Sequence, residues 1–368
     1  MKKTKTLLLL LFLSALLFTL GACNDAIFYK ISVEQERVEP RIKGSPTNFT
    51  VFGGYMYVAS GKTLYKYKDG IWEENESING LNIVQLAADG TSLYALCFED
   101  TTSGITRKIF KKTATEPWLE NTLNISDEHN IIQSIYSAGN ELYIGAQRLN
   151  ANDFAIYKID GNNASLVVEG RNDGLLNGAA TDGNNTFLCT RNGIFYSDGS
   201  VIEGSNINFI GIIALPNKEI VAITRNGNLY KVETTGLTHI TGFSDNRWAS
   251  GSIGLWQNVE NLSQHILLVG RQDREYSTTT GYTYGYMELE LDSSGGIVSD
   301  KSFREPGRTS EVLFSSVDEN EPYVSSLGRQ PVNHIFQAPD MILFASTQKD
   351  GVWSYRARQG KRQWNAED

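Results

Sequence analysis

A short motif recurs along the chain, and its period constrains the fold more than any other feature of the sequence. Residues 187–196 read Phe-Leu-Cys-Thr-Arg-Asn-Gly-Ile-Phe-Tyr, and residues 221–230 read Val-Ala-Ile-Thr-Arg-Asn-Gly-Asn-Leu-Tyr. Each copy is a short apolar strand, a tight polar turn and a second apolar strand. Similar units stand elsewhere, and the equivalent positions of all copies are Tyr57, Tyr94, Tyr143, Leu188, Val221, Leu267 and Leu343.

One copy shows how four strands arise in each unit. Apolar or alternating stretches at 131–135, 141–146, 153–159 and 165–168 are separated by turn residues, among them Asp160-Gly-Asn-Asn163. Asp-Gly and Asn-Gly favour hairpin turns because such turns need positive φ. A period of about 40 to 50 residues made of short strands is typical of propeller blades. The sequence therefore predicts an all-β fold, a single β-propeller of seven four-stranded blades.

Two regions bear on the number of blades and on how the ring closes. A long interval before the last unit contains Glu311–Ser315 and Tyr323–Ser326, which form either an inserted hairpin or a degraded eighth blade. Ile27–Ile31 resembles a third strand, so we expect it to complete the last blade and close the ring with strands from both ends of the chain. Trp72 and Trp118 are predicted on outer strands, packed between blades.

Two of the units carry a further pattern. Asn79-Gly-Leu-Asn82 precedes a strand ending at Asp89-Gly90, and Asp173-Gly-Leu-Leu-Asn177 precedes Ala180-Thr-Asp-Gly183. This pattern resembles the two-component-regulator propeller repeat, and the unit from Asp173 to Tyr196 fits it best. In that family the propeller is an extracellular sensor joined to a kinase. The resemblance implies a propeller fold and a role in ligand binding.

The first residues have the form of a bacterial lipoprotein leader. Lys2, Lys3 and Lys5 precede an apolar run, and Leu20-Gly-Ala-Cys23 follows it. The run of about 14 residues is shorter than the roughly 20 needed to span a membrane. The pattern resembles the lipobox, which implies cleavage before Cys23 and lipidation of that cysteine. We predict a signal peptide at 1–22 and a propeller domain at 23–368, lipid-anchored to the cell membrane or outer membrane and facing the periplasm or the exterior.

The net charge of the chain argues against two classes of binding partner. The net charge is −9, and the leader contributes three of the lysines. Nucleic acid and anionic lipid surfaces are bound by basic patches, so an acidic chain of this kind is not expected to bind either through its surface charge. Arg356, Arg358, Lys361 and Arg362 gather near the C-terminus, and we expect them to form a solvated tail.

No catalytic or metal-binding motif stands out, and we expect no cofactor. Cys97 and Cys189 lie in equivalent apolar strands of different units, which predicts two separate buried thiols rather than a disulfide. The histidines show no ligand spacing. Asp89, Asp182 and Asp340 follow first strands and could be offered as channel metal ligands, but their position beside Gly or Asn favours a turn-forming role.

Loop length is the asymmetry that best indicates a binding surface. The loops between second and third strands are tight at 191–193 and 225–227, and long at 99–106, 148–153 and 271–281. Tyrosine offers a rigid contact area with a polar tip. The predicted binding residues on the longest loop are Arg271, Tyr276, Tyr282 and Tyr284, although the alternating tyrosines could instead face a neighbouring blade.

These observations predict a membrane-anchored, non-catalytic scaffold that binds protein or glycan at the cell envelope. Two other functions stay open at this point. One is a propeller hydrolase or lyase with a metal at the channel mouth. The other is a detached sensor domain of a signalling system.

Overall fold

The computed structural model describes residues 41–101, 104–125, 131–148, 153–171, 174–243, 248–272, 285–304, 327, 331–358 and 361–367. The predicted signal peptide, Cys23 and the strand at Ile27–Ile31 lie outside these ranges. So do both candidate segments for an eighth blade, Glu311–Ser315 and Tyr323–Ser326. Within the described ranges, no helix is long and apolar enough to cross a membrane.

Twenty-six antiparallel strands in the described ranges form seven sheets arranged as a β-propeller. The first three blades contain β1 (Thr50–Phe52), β2 (Tyr55–Ser60), β3 (Thr63–Lys68), β4 (Ile71–Ser77), then β5 (Asn82–Ala88), β6 (Ser92–Thr101), β7 (Gly104–Thr113), β8 (Leu119–Glu120), and β9 (Ile131–Ala138), β10 (Glu141–Gln147), β11 (Asp153–Asp160), β12 (Asn163–Arg171). In each blade the first strand is innermost, so the prediction of one blade per repeat is confirmed.

The other four blades follow the same order. They contain β13 (Leu176–Thr181), β14 (Thr186–Thr190), β15 (Gly193–Tyr196), then β16 (Phe209–Ala214), β17 (Ile220–Thr224), β18 (Leu229–Glu233), β19 (Gly236–Thr241), then β20 (Trp248–Gln257), β21 (His265–Gln272), β22 (Tyr286–Glu290), and β23 (Val332–Gln337), β24 (Leu343–Thr347), β25 (Val352–Arg358), β26 (Lys361–Ala366). In blades 4 and 6, single bridges take the place of an outer strand, Phe195 with Val201 and Glu288 with Arg304.

The core consists of apolar clusters between neighbouring blades. Seven such clusters of buried residues each join two adjacent blades, one cluster per junction. The second strands β14, β17 and β24 are buried along their whole length. A strand covered on both faces needs apolar residues at every position, which is why these segments are continuously apolar instead of alternating.

Blade 6 packs directly against blade 7, which excludes an eighth blade between them. Ser250 Oγ donates to the Val332 carbonyl at 2.5 Å, and Ile335 N–H donates to Ser252 Oγ at 2.9 Å. Since β20 and β23 are joined in this way, no further blade lies between blades 6 and 7.

The ring closes differently from the prediction. All four strands of blade 7 come from residues 332–366, so its third strand is β25 and not Ile27–Ile31. Residues 41–44 reach the last blade without joining its sheet: Val352 N–H donates to the Ile42 carbonyl at 3.1 Å, and Gly351 N–H to the Gly44 carbonyl at 2.9 Å.

The basic residues near the C-terminus are not a solvated tail, as was expected. They belong to β25 and β26, which form the outer hairpin of blade 7. Glu367, which follows this hairpin, is only 6% exposed and accepts hydrogen bonds from Arg356 Nη2 at 2.7 Å and from Trp72 Nε1 of blade 1 at 2.8 Å. Trp72 on β4 therefore packs between blades, as predicted.

Candidate functional site

The inner strands surround a channel with a volume of about 1520 Å³. All seven blades contribute to its lining. The polar lining residues used below are Asn48, Gln85, Asn177, Arg191, Asn208, Arg225, Ser250, Asn333 and His334. The arginines are the charged members of this set, and no aspartate or glutamate lines the channel among the described residues.

A β-bulge recurs near the start of the inner strands. Register shifts occur at Val84, Gln133, Asn177, Ile210 and Asn333, and a longer one at Ser250–Ser252. In blade 1, Thr47 N–H donates to the Ala59 carbonyl while Thr50 pairs with Tyr57, so Asn48 occupies the same bulged position. A bulge re-aims the side chain of the extra residue, and four of the bulged residues that line the channel are polar: Asn48, Asn177, Ser250 and Asn333.

Among the described residues, hydrogen bonds of polar side chains on or beside the inner strands connect neighbouring blades at every junction except that of blades 5 and 6. Asn48 makes two bonds to the backbone of Leu86, donating from Nδ2 at 2.8 Å and accepting the N–H at 3.0 Å. Asn177 Nδ2 donates to the Phe209 carbonyl at 2.7 Å, and Ile135 N–H donates to Gln85 Oε1 at 3.0 Å. These residues satisfy backbone groups that would otherwise be unpaired, so their role in the structure is to hold the ring.

Between blades 5 and 6 the backbones approach too closely for side chains. A Cβ built on Gly211 would lie 2.8 Å from the Gly251 carbonyl oxygen. Here the connecting bond is made by the main chain, since Ala249 N–H donates to the Arg225 carbonyl at 2.9 Å.

His334 completes the circle between blades 7 and 1. The Phe49 N–H donates to His334 Nδ1 at 3.2 Å, and the imidazole packs beside the Phe49 ring. An acceptor nitrogen must be unprotonated, so the imidazole is neutral with its proton on Nε2. Burial lowers the pKa of His334 to about 4, which keeps it neutral at physiological pH.

The two arginines of the repeated Thr-Arg-Asn-Gly motif lie at the mouth of the channel, on the face that carries the turns between second and third strands. In blade 4 Leu176 pairs with Thr190, and in blade 5 Phe209 pairs with Thr224. The arginine that follows each threonine thus occupies the same height in adjacent blades. Both side chains are exposed, and both line the channel.

The other residues of the motif have roles in the turn itself. Thr190 Oγ1 accepts from Asn192 N–H at 3.0 Å and donates to the Gly193 carbonyl at 3.0 Å. Gly227 has φ 79°, and a Cβ there would collide with the ring of Phe243. The turn therefore explains the threonine and the glycine, but it does not need an arginine.

Arg225 is held in place by an aromatic ring. Its guanidinium lies over Trp248 at 3.9 Å from the ring centroid. Its backbone N–H donates to the Asn208 carbonyl at 3.4 Å. A cation stacked on a tryptophan face is stabilised by the ring quadrupole. The guanidinium edge stays available for hydrogen bonds from the mouth of the channel.

Apolar side chains line the same channel as the arginines. Ile210 and Ile213 of β16 and Leu255 of β20 are half-buried and line the cavity. Val51 and Val84 also line it, with exposed fractions of 37% and 40%. The wall thus combines apolar side chains with the two cationic groups at the mouth.

Comparison with solved structures shows the same fold in proteins of very different sequence. A streptogramin B lyase structure has 10% identity and a TM-score of 0.56, covering 87% of this chain and 96% of the other. The extracellular domain of the putative hybrid two-component system BT4673 from B. thetaiotaomicron has 14% identity and a TM-score of 0.52, covering 86% of this chain and 38% of that one.

A third similar structure is YCF48 bound to D1 peptide, with 11% identity and a TM-score of 0.51, covering 87% of this chain and 94% of the other. No family model matches the chain, and no curated protein matches it in sequence. At these identities the similarity shows the β-propeller fold and nothing narrower. A neighbour from a two-component system agrees with the propeller part of the resemblance described above.

The residues predicted from loop length fall partly outside the described ranges. Tyr276, Tyr282 and Tyr284 are among those not described, so their role stays a prediction. Arg271 belongs to β21 and is 2% exposed. Tyr286, the next tyrosine after Tyr284 in the alternating pattern, faces the neighbouring blade, since its hydroxyl accepts from Trp364 Nε1 at 3.0 Å.

Two other stretches, 99–106 and 148–153, were predicted to be long loops between second and third strands. The stretch 99–106 is not a loop, because Glu99 pairs with Thr106 and Thr101 with Gly104 at the end of a long hairpin. At 148–153, Arg148 N–H donates to the Asp153 carbonyl at 3.2 Å, and residues 149–152 are not described. The polar character of 99–106 suggested a loop, but alternating polar residues can equally extend a hairpin beyond the sheet.

The three aspartates weighed as metal ligands have structural roles. Asp89 accepts from Thr91, Ser92 and Tyr94, and Asp182 accepts from Asn184 and Asn185. Asp340 Oδ1 accepts the Ile342 N–H at 3.3 Å within its turn, and Oδ2 accepts from the Tyr67 hydroxyl at 2.5 Å. Across the described ranges no group of three or more His, Cys, Asp or Glu side chains is placed to hold a metal ion. The turn-forming role is confirmed for all three.

Cys97 and Cys189 are free and buried, as predicted. Burial raises the pKa of the Cys97 thiol to about 12 and that of Cys189 further. A thiol with a raised pKa carries almost no thiolate at neutral pH and is a poor nucleophile. Both cysteines therefore serve as small apolar core residues.

Sequence analysis missed Arg191 and Arg225 as candidate site residues, because it ranked loops by length and these turns are the tightest. The repeated Thr-Arg-Asn-Gly motif could have indicated these two residues. Its threonine and glycine are needed to form the turn, whereas its arginine is not.

Proposed function

We propose that this chain is a lipid-anchored binding module of the bacterial cell envelope, and that it holds a protein partner at the mouth of its channel. One observation carries the proposal. The polar residues of the inner strands bond to the neighbouring blade, whereas the guanidinium groups of two exposed arginines at the mouth form no hydrogen bond or ion pair with a described residue, although that of Arg225 stacks on Trp248 of blade 6. A charged group whose hydrogen-bond donors are not used by the described part of the protein is available for a ligand.

The fold supports a binding role. Blades form a rigid ring whose turns converge at one opening, so that a partner can contact several blades at once. The similar YCF48 structure is named for a bound D1 peptide, which supports a peptide segment as the kind of ligand for this chain. The channel volume of about 1520 Å³ exceeds the roughly 300–1,000 Å³ typical of small-molecule sites, which favours a larger ligand.

The channel chemistry favours a scaffold over a metal enzyme. Lactonase-type propellers would need carboxylates around a channel ion, and no described lining residue is an aspartate or glutamate. The similarity to a streptogramin B lyase at 10% identity concerns the fold alone.

The proposed anchor rests on the leader pattern that ends at Cys23. Cys23→Ala should release the protein from the membrane fraction of cells that export it. Retention of the C23A variant in that fraction would contradict lipid anchoring through this residue.

The binding role is tested by capture on intact cells. The full-length lipoprotein is cross-linked in place, and captured proteins are identified with and without prior treatment by external protease. The expected result is a defined set of envelope or surface proteins, and protease sensitivity then separates the exterior from the periplasm. Capture no greater than that of a lipoprotein carrying an unrelated domain would overturn the proposal.

A further inference from the structure

We infer that Arg191 and Arg225 together bind a carboxylate of a peptide whose neighbouring side chain is apolar. This inference rests on the proposed binding function and adds the ligand's chemistry. It concerns the mouth of the channel between blades 4 and 5.

The two arginines are assigned to one site because they lie on adjacent blades at the same level along the channel axis. Thr190 and Thr224 each pair with the first residue of the neighbouring inner strand in their own blade. The Asn177 side chain then joins these inner strands through a bond of 2.7 Å to the Phe209 carbonyl. Each arginine is the next residue after its threonine, so both side chains start from the same level on adjacent blades.

Neither arginine is neutralised within the described part of the protein. No described carboxylate forms an ion pair with either guanidinium. The Arg225 side chain contacts the face of the Trp248 ring, which carries no charge. The other exposed basic residues of comparable turns, Lys62 in blade 1 and Lys349 in blade 7, do not line the channel. Positive charge at the lining is thus confined to one side of the mouth.

A carboxylate is the group that this arrangement recognises best. Guanidinium groups offer paired N–H donors that match the two oxygens of a carboxylate, and such charge-assisted bonds are short and strong. The chain as a whole has a net charge of −9. An anionic ligand is therefore repelled by most of the surface and attracted to this opening, which favours correct placement.

The apolar wall beside the arginines selects a peptide over an acidic sugar. The backbone N–H of Arg225 donates to the carbonyl of Asn208, which lies two residues before Ile210. Ile210, Ile213 and Leu255 of the adjacent blade line the same cavity as the Arg225 guanidinium, so a ligand held by that group can place its next group against these half-buried side chains. Peptides provide apolar side chains next to a carboxylate, either at an acidic residue or at the C-terminus, whereas uronic acid chains do not.

The test uses a fluorescein-labelled peptide in which aspartate alternates with leucine, and a counterpart with asparagine in place of aspartate. Fluorescence anisotropy at low and high salt measures the affinity of the full-length protein for each. We expect the aspartate peptide to bind at least about tenfold more tightly, with the advantage reduced by salt. The double variant R191Q/R225Q should lose that advantage.

A matched control removes the same charge from the same face. K62Q/K349Q changes exposed lysines in the corresponding turns of blades 1 and 7, which are not channel lining, and it should keep the tenfold preference. Circular dichroism confirms that both variants are folded, as expected because all four side chains are exposed.

Several results would overturn the inference. These are equal affinity for the two peptides, an equal loss in the control variant, no binding of either peptide at millimolar concentration, or binding of polygalacturonate in preference to the peptide. Capture of the same envelope proteins by wild type and R191Q/R225Q would reject this site while leaving the proposed function in place. Absence of any specific capture by wild type would instead reject the proposed function.

Discussion

His334 shows how much one side chain contributes to closing the ring. Its Nδ1 accepts the Phe49 N–H at 3.2 Å, which joins the last inner strand to the first. The imidazole lies between the rings of Phe49 and Phe336, with no charged group in these contacts. Protonation would remove the acceptor and place a charge among aromatic rings, so this junction depends on the neutral form.

We predict that the protein loses stability as the pH falls from about 6.5 to about 4. The pKa of His334 is about 4 in the folded protein and about 6.5 in the unfolded chain. The unfolded state therefore binds more protons in this window, and the stabilisation is complete above pH 6.5 and is lost as the pH falls toward 4. Urea midpoints measured from pH 7.5 to 4.5 report the effect.

The His334→Gln variant separates this histidine from other titrating groups. It should be less stable at pH 7.5 and should lose most of the pH dependence above pH 4.5. His239→Gln, an exposed position on β19, is the matched control and should behave as wild type. An unchanged pH profile in H334Q would show that His334 is not the responsible group.

Asn48 gives a second prediction at this scale. Because its amide satisfies both the N–H and the carbonyl of Leu86, Asn48→Ala leaves two half-buried backbone groups unpaired at the junction of blades 1 and 2. We expect a loss of about 1–3 kcal/mol in the free energy of unfolding, measured by urea denaturation. Asn206→Ala, at an exposed position, should change it by less than about 0.5 kcal/mol. Equal effects of the two substitutions would contradict the role assigned to Asn48.

At the scale of elements, the C-terminal hairpin β25–β26 is held by one buried carboxylate. Glu367 accepts from Arg356 and Trp72 and from the Ser354 hydroxyl, and thereby connects the edge of blade 7 to β4 of blade 1. The charge is compensated by an arginine and by two neutral donors. Such a site is stable when complete and costly when one member is removed.

We predict that Glu367→Ala lowers the free energy of unfolding by about 2–3 kcal/mol, since it leaves the Trp72 indole N–H and the Arg356 guanidinium without their acceptor. Urea unfolding followed by tryptophan fluorescence measures the loss. Glu203→Ala, which removes an exposed carboxylate, should be close to neutral. A stability loss in E203A as large as that in E367A would show that general charge, and not this contact, is responsible.

The elements also show which features the sequence could and could not predict. Apolar second strands and turns such as Asp69-Gly70, with φ of 49° and 86°, have local signals and were placed correctly. The bulges were not foreseen, because a bulge is defined by the partner strand's register and not by the bulged residue alone. The basic residues near the C-terminus were assigned to a solvated tail for a similar reason: the carboxylate of Glu367 that holds their hairpin accepts from Trp72, 295 residues away in sequence.

The whole molecule is predicted to unfold as a unit, because every blade shares its core with both neighbours. Cys97 in blade 2 and Cys189 in blade 4 are both fully buried and report on this. In a Cys23→Ser background, C97A and C189A each leave one core thiol. Neither thiol should react with a thiol reagent in the native state, and both should become reactive at the urea concentration where β-sheet circular dichroism is lost.

Separate transitions would contradict this prediction. If the thiol of blade 2 reacted at a clearly lower urea concentration than the thiol of blade 4, the ring would open in parts, as expected for an array whose neighbours are weakly coupled. The C97A and C189A variants should first be shown to have similar urea midpoints, so that the comparison reflects the blades and not the substitutions.

At this scale the fold could be predicted well and the candidate site could not. A repeat with a period of one blade predicts a closed ring, and the number of blades follows from the number of copies. The channel surface depends on which of the inward-facing polar residues are used to join blades, and that follows only from the contacts between blades. Arg191 and Arg225 stand out once the roles of Asn48, Asn177 and Ser250 are known.

Because residues 332–366 supply all four strands of blade 7, every blade is one uninterrupted stretch of chain. A circular permutant could therefore begin at the first strand of any blade and end with the last strand of the one before it, without cutting a sheet. In such a permutant blades 7 and 1, which Glu367 and His334 join, would be connected by the chain itself. The new N- and C-termini would lie between two other neighbouring blades. The arrangement of the blades around the ring therefore does not depend on which blade comes first in the sequence.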